Sequence, residues 1–200
     1  MIREENQSLL LTIARRAIET GLQSPGSHYS PDERQLPAEL KKNGATFVTL
    51  QVNHRLRGCI GSLEAYRPLT QDVAANAYAA AFSDPRFSPL SMAEFHQLHL
   101  SISILTEPHP IEFSDEPDLL RQLQPGKDGL ILESGHHRST FLPSVWETLP
   151  DKTLFIEQLK RKAGLPESYW SDQLRVSRYH TESFGCDIKP TDQVAYSHGH

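Results

Sequence analysis

The amino-acid sequence predicts an α+β fold, a largely antiparallel sheet with flanking helices. Strand-like segments come in hairpin pairs joined by short turns. Helical segments are interspersed without the regular βαβ alternation that a parallel sheet needs. Leu98, Leu100, Ile102 and Ile104 alternate strictly with His99, Ser101 and Ser103, the period of a strand with one face in the core and one face polar.

The elements follow in chain order. Leu9, Leu10, Ile13, Ala14, Ala17 and Ile18 recur at helical spacing between Asn6 and Thr20, and Gly21 is placed to cap the helix. Residues 23–37 hold Pro25, Gly26, Pro31 and Pro37 with little apolar content, and predict an extended surface loop outside the core. Gly44 opens a strand through Val52; Asn53-His54 turns it into a second strand from Leu56 to Ile60, with Cys59 near the hairpin's end.

Leu69 to Phe82, rich in alanine, predicts a closely packed helix that Asp84-Pro-Arg-Phe-Ser-Pro89 stops. Ser91 and Glu94 have capping-box spacing for a short turn before the alternating strand at 98–104. Asp115 to Leu123 predicts a short helix, and Leu130–Glu133 with Arg138–Leu142 a second hairpin. Asp151 caps a helix bearing Leu154, Phe155 and Leu159 that Gly164 and Pro166 end, and a last strand is expected near Leu174 to Tyr179. Residues 1–185 are expected to form one domain and 186–200 a flexible polar tail.

Composition excludes several function classes. The chain has 200 residues, 38% hydrophobic and 22% charged, enough apolar content to offset chain entropy in one core. A net charge of -5 with scattered basic residues does not make the electrostatic footprint of a nucleic-acid binder. No apolar run reaches the roughly 18 residues of a membrane span, and the acidic start Met1-Ile-Arg-Glu-Glu5 does not read as a signal peptide. A soluble, cytoplasmic protein is expected. Its two cysteines, Cys59 and Cys186, are too few and too far apart for a disulfide scaffold or a zinc knuckle, so both are expected to be free thiols.

Leu56-Arg-Gly-Cys-Ile-Gly-Ser-Leu63, followed by Asp84-Pro-Arg-Phe87, Lys127-Asp-Gly129 and Phe141-Leu-Pro-Ser-Val145, resembles the AMMECR domain family, whose microbial members are labelled AmmeMemoRadiSam system protein A. The resemblance spans about Leu9 to Phe184. It implies two unequal lobes around a cleft and an association with Memo-like and radical-SAM partner proteins. It implies no known reaction. His136-His-Arg-Ser-Thr140 departs from the glycine or basic residue usual before the Phe-Leu-Pro string, which leaves the second hairpin's part in a site open.

Cys59 is the centre of the site expectation. Nearby cations or backbone N–H groups draw a thiol toward thiolate, and apolar burial does the reverse. In a strand, Arg55, Arg57 and Cys59 share a face, which predicts a basic, thiol-bearing patch with His54 just upstream. Gly58 and Gly61 flank the thiol and permit close approach by a backbone or ligand. The plainer reading is that Cys59 is a small core residue in a tight corner. Asp84, Arg86, Lys127 and Asp128 are the accompanying binding residues, with Arg86 a forked donor for a carboxylate or phosphate; their plainer reading is a loop ion pair that stops a helix. Asn76 and Tyr78 are weaker candidates.

The ten histidines, including His136-His137 and the distant His54 and His180, lack ligand spacing, so no metal site is expected. No phosphate loop, nucleophile elbow or dinucleotide fingerprint appears, and no cofactor is expected. Trp146, Trp170, Phe141 and Tyr169 read as packing aromatics. Two functions compete: an enzyme or enzyme subunit that acts on a small polar or anionic substrate through Cys59, and a non-catalytic binding or scaffold module for Memo-like and radical-SAM proteins.

Overall fold

A computed structural model describes residues 1–190 of the chain. These divide into two compact units, one of Met1–Ile104 with the chain from Ser183 onward, the other of Leu105–Glu182.

The first unit opens with α1, Glu4–Gln23, whose Leu10, Ile13, Ala14, Ala17 and Ile18 are buried. Glu4 and Glu5 sit in its first turn, where the helix dipole favours negative charge. The helix runs past Gly21 rather than ending there. A Cβ at Gly21 would lie 2.4 Å from the Phe82 ring, so glycine serves helix contact, not capping. The proline-rich segment is also less detached than expected, since Pro31 is buried and Tyr29 and Leu36 pack against the core. It ends in α2, Ala38–Lys41, which buries Leu40.

Strands β1, Ala45–Val52, and β2, Arg55–Gly61, form the first hairpin through Asn53 and His54, both at positive φ (51° and 62°), the conformation that matches the twist of a two-residue turn. The ladder is antiparallel and shifts register between Leu50↔Gly58 and Gln51↔Leu56, so Arg57 is bulged out of the pairing. Then come α3, Leu69–Phe82, the capping-box helix α4, Met92–Phe95, and β3, Leu98–Leu105.

Within the second unit, β4 is His109–Pro110, α5 Glu116–Gln122, β5 Gly129–Ser134, β6 His137–Phe141, α6 Lys152–Lys162 and β7 Arg175–Tyr179. A last strand, β8, Thr181–Asp187, returns to the first unit's sheet, whose order is β2-β1-β3-β8. Leu98 bonds Ile188 and Ser103 bonds Ser183, so partner numbers fall as β3 numbers rise and the pair is antiparallel. Cys186 and Asp187, expected in the tail, instead end a strand, and Ile188 is buried; 191–200 lie outside the described residues.

Helices α1 and α3 close one face of the first sheet over Val48, Leu50, Leu98, Leu100 and Ile102. The second sheet, ordered β4-β7-β5-β6, is antiparallel throughout. Its core gathers Leu130, Leu132 and Val176 around Phe155, which stacks on Trp146 at 3.7 Å and 6°. Asp151 caps α6 by accepting from the Leu154 N–H, and Gly164 at φ +83° ends the turn beyond it.

Candidate functional site

Strand β2 is an edge strand of the first sheet, and an edge presents unpaired N–H and C=O groups on its outer side. At Cys59 these are met by side chains. The Asp84 carboxylate accepts the Cys59 N–H at 3.0 Å, and Arg86 donates from Nη2 to the Cys59 carbonyl at 3.4 Å. Because those backbone groups point outward, Thr49 and Cys59 face each other as a non-hydrogen-bonded pair, the kind that brings side chains closest. The Thr49 Oγ1 and Cys59 Sγ are 3.3 Å apart. The thiol itself is half-buried.

Asp84 is buried, and each of its oxygens is engaged. Arg86 donates to it from the backbone (3.1 Å), from Nε (3.0 Å) and from Nη2 (2.7 Å), a forked arrangement two residues away along the Pro85 turn. That arginine, joined by the Cys59 N–H, holds the Asp84 carboxyl well below the usual carboxylate range against the opposing effect of burial. Arg86 keeps Nη1 without a partner among the described residues, and half of its side chain is exposed.

Arg57 is placed differently from the expectation of three aligned residues on one strand face. The bulge at Arg57 breaks the period of two on which that expectation rests, and Arg55 is exposed with no partner among the described residues. Arg57 is largely buried. Its Nε donates to Glu94 at 2.6 Å and its Nη2 to the Ser88 carbonyl at 2.7 Å, while its buried Nη1 has no hydrogen-bond partner. Arg57, helped by the Ser91 capping contacts, pulls the Glu94 carboxyl down to about 2. Phe87 lies between the two guanidinium groups, 5.7 Å from Arg57 and 5.5 Å from Arg86. Arg57 and Arg86 are thus each matched by a carboxylate.

The flanking glycines have concrete tasks. A Cβ on Gly58 would stand 2.0 Å from the Ala80 carbonyl oxygen, so β2 touches α3 backbone there. One on Gly61 would meet the Phe47 ring at 2.2 Å, so the aromatic ring lies across the glycine opposite it. His54 is exposed in the hairpin turn.

Lys127 and Asp128 belong to the second unit. Lys127 is exposed. Asp128 is fully buried and accepts from the Gln124 N–H at 2.8 Å, with His180 Nε2 at 3.1 Å and Arg178 at 3.4 Å, the partners of an anchored turn. His137 Nδ1 contacts the Ala163 carbonyl at 2.8 Å, which ties the second hairpin to the end of α6. No group of three or more His, Cys, Asp or Glu side chains suited to a metal occurs among the described residues; His198 and His200 lie outside them. Cys186 is not equivalent to Cys59, since burial and the neighbouring Asp187 push its thiol up.

Sequence reasoning missed another buried carboxylate in the first unit. Asp72, fully buried in α3, accepts from Thr46 N–H and Oγ1 (2.8 Å each), Ser62 Oγ (2.8 Å), Arg67 Nε (2.7 Å) and Asn76 Nδ2 (3.1 Å). The legible signal was the pair Asp72 and Asn76, four apart on a helix that is otherwise small and apolar. Tyr78 is half-buried against Phe82, with ring centroids 4.9 Å apart.

Comparison with known proteins bears on the family and the fold. The sequence model described as AMMECR1 matches residues 11–184. A protein of Saccharolobus solfataricus is 37% identical over 96% of this chain and 90% of its own length. One from Methanothermobacter thermautotrophicus is 36% identical over 91% and 94%. The crystal structure of an uncharacterized protein from Pyrococcus horikoshii superposes with a TM-score of 0.86 at 33% identity, covering 94% of this chain and 96% of that one. Among the described residues, no helix is long and apolar enough to cross a membrane.

Proposed function

The chain belongs to the AMMECR1 family, and from that premise we propose that it is an enzyme or enzyme subunit holding a small polar or anionic substrate against Cys59. The observation that carries this reading is the contrast between a half-exposed thiol and the buried charge that fixes it. Burying a carboxylate is costly unless every oxygen is satisfied, and Asp84 is satisfied in a way that pins both the N–H and the C=O of residue 59. A cysteine kept as core filling needs no such support. Preorganised backbone is what a reactive side chain needs.

In this reading the Cys59 sulfur attacks an electrophilic carbon of the substrate. An S–C bond forms as the leaving group departs with its electron pair, and the thiol proton goes to solvent. The free Nη1 of Arg86 holds an acidic group on that substrate, and Gly58 and Gly61 keep the strand slim beside it. Iodoacetamide labelling at neutral pH tests the reading. Cys59 is expected to label faster than an unperturbed thiol and far faster than Cys186, with Cys59→Ser removing the fast phase. A Cys59 rate no higher than that of a free model thiol refutes the nucleophile.

A second reading is a non-catalytic scaffold for Memo-like and radical-SAM partners, with the hairpin as a structural corner. It is favoured by Leu56 and Tyr66, 42% and 64% exposed, which flank the motif. Co-purification of either partner that survives Cys59→Ser but is lost in a Leu56→Asp, Tyr66→Asp double variant selects this reading.

A further inference from the structure

The second unit carries a cavity of about 630 Å³ that plays no part in the Cys59 site. It lies alongside the short β4–β7 ladder, which pairs His109↔Arg178 and Pro110↔Ser177 and continues with the Ile111 N–H donating to the Val176 carbonyl at 2.8 Å. Its volume falls in the range of pockets that hold small molecules. Two aromatic rings wall it, Phe113 and Trp170, 5.5 Å apart and tilted by 58°. Trp170 is 36% exposed, while its ring is steadied by Lys160, fully buried, whose Nζ sits 5.7 Å from the ring centroid.

The charged groups that line this cavity are mostly unpaired. Glu112, Asp172 and Arg175 line it and are exposed, and none of the three side chains has an ion-pair or hydrogen-bond partner among the described residues. Glu133, the other acid of the lining, is already paired with Arg138 at 3.0 Å. Two unpaired carboxylates, one unpaired guanidinium and an aromatic wall are the complement of one kind of molecule. It bears an ammonium group for the acids, a carboxylate for the forked donor of Arg175, and a flat apolar part for the rings.

We propose that this cavity is a binding site for a small zwitterion with a planar apolar side chain, the chemistry of an aromatic amino acid. The reading stands independently of any role of Cys59.

Tryptophan fluorescence tests it on the full chain, because Trp146 is buried against Phe155 and Trp170 is the residue that meets solvent. L-phenylalanine is the probe; N-acetylphenylalanine, which lacks the ammonium, and phenylalaninamide, which lacks the carboxylate, are its controls. A saturable change with L-phenylalanine is expected, roughly tenfold or more weaker with either control. Arg175→Gln should weaken L-phenylalanine by a similar factor but leave phenylalaninamide unaffected, and a Glu112→Gln, Asp172→Asn variant should likewise weaken L-phenylalanine but leave N-acetylphenylalanine unaffected. These exposed substitutions keep the fold, which unchanged far-ultraviolet circular dichroism verifies. No saturation up to tens of millimolar on the general scale of weak ligands, or equal binding of all three compounds, overturns the proposal.

Discussion

Replacing Gly58 by alanine places a methyl group where the structure has none to give. The new Cβ would stand 2.0 Å from the Ala80 carbonyl oxygen and 3.0 Å from its carbon, and both belong to helix backbone. Ordinary contact begins at 3.4 Å, so strand and helix must separate by about 1.4 Å. Ala80 is 1% exposed and packs in a row with Ala77 and Ala81, a helix face whose small side chains exist to permit this approach. Overpacking a well-filled interior costs about 1–3 kcal/mol. With backbone on one side and a sheet on the other, the upper end applies, about 3 kcal/mol, a large share of the roughly 5–15 kcal/mol that holds a domain folded.

Urea unfolding measures the cost, with Gly26→Ala as the control in the same unit. Gly26 has open space around its Cβ position and a φ of +85°, so alanine there costs only the left-handed conformation, about 1–2 kcal/mol. At a slope of roughly 1–3 kcal/mol per molar urea, Gly58→Ala should lower the midpoint by about 1 M or more and exceed the control. A midpoint at or above that of Gly26→Ala refutes the close approach of β2 to α3.

Acid should weaken the first unit through Asp84 and Glu94, whose folded pKa values are both depressed by arginine. Their contribution is complete above the unfolded carboxyl value near 4 and is lost as pH falls through the folded values, about 2 for Glu94. The urea midpoint should therefore fall more steeply between pH 4 and 2 in the parent than in Glu94→Gln, and equal slopes count against the ion pair with Arg57. Asp72→Ala strands the Arg67 Nε, the Thr46 N–H and the Ser62 hydroxyl in or near the core; thermal unfolding should show a loss of about 3–5 kcal/mol, and less than 1 kcal/mol contradicts the network. Burial pushes the Tyr179 hydroxyl up to about 12, so ultraviolet titration should leave Tyr179 un-ionised at pH 11. Tyr179→Phe should remove that late step at a cost of about 1 kcal/mol for its bonds to Thr140 and Phe141.

What the sequence made legible was whatever local periodicity encodes. The β1–β2 turn at Asn53-His54, the limits of α3 and the alternation of β3 were all readable within a dozen residues, and the coordinates agree with them. Strand β8 was not. Its partner β3 lies some eighty residues upstream, and within Glu182-Ser-Phe-Gly-Cys-Asp187 Phe184 alone packs against the core cluster. Alternation with a single strongly apolar member reads as coil until a neighbouring strand supplies the ladder. Gly21 misled for a related reason: the same residue suits a helix cap or a close helix contact, and only the distant Phe82 decides between them.

The site was legible as a set of residue types and illegible as a field. Arg55 and Arg57 beside Cys59 read as a basic patch, because nothing local reveals that Glu94, thirty-seven residues on, will neutralise Arg57. Asp84 was visible beside Arg86, but its more consequential bond is to the main chain of residue 59. The arrangement repeats further along, at the open end of the same hairpin, where Asp72 grips Thr46 at the start of β1 and Ser62 just past β2. Two buried carboxylates, each balanced by an arginine close in sequence, thus fasten one short hairpin by its backbone and hydroxyls. Hydrophobic contacts alone would hold those strands in place with less directional control, since burial has no preferred geometry and hydrogen bonds to charge do. Within the first unit, the buried carboxylates Asp72 and Asp84 therefore both serve the hairpin that carries Cys59.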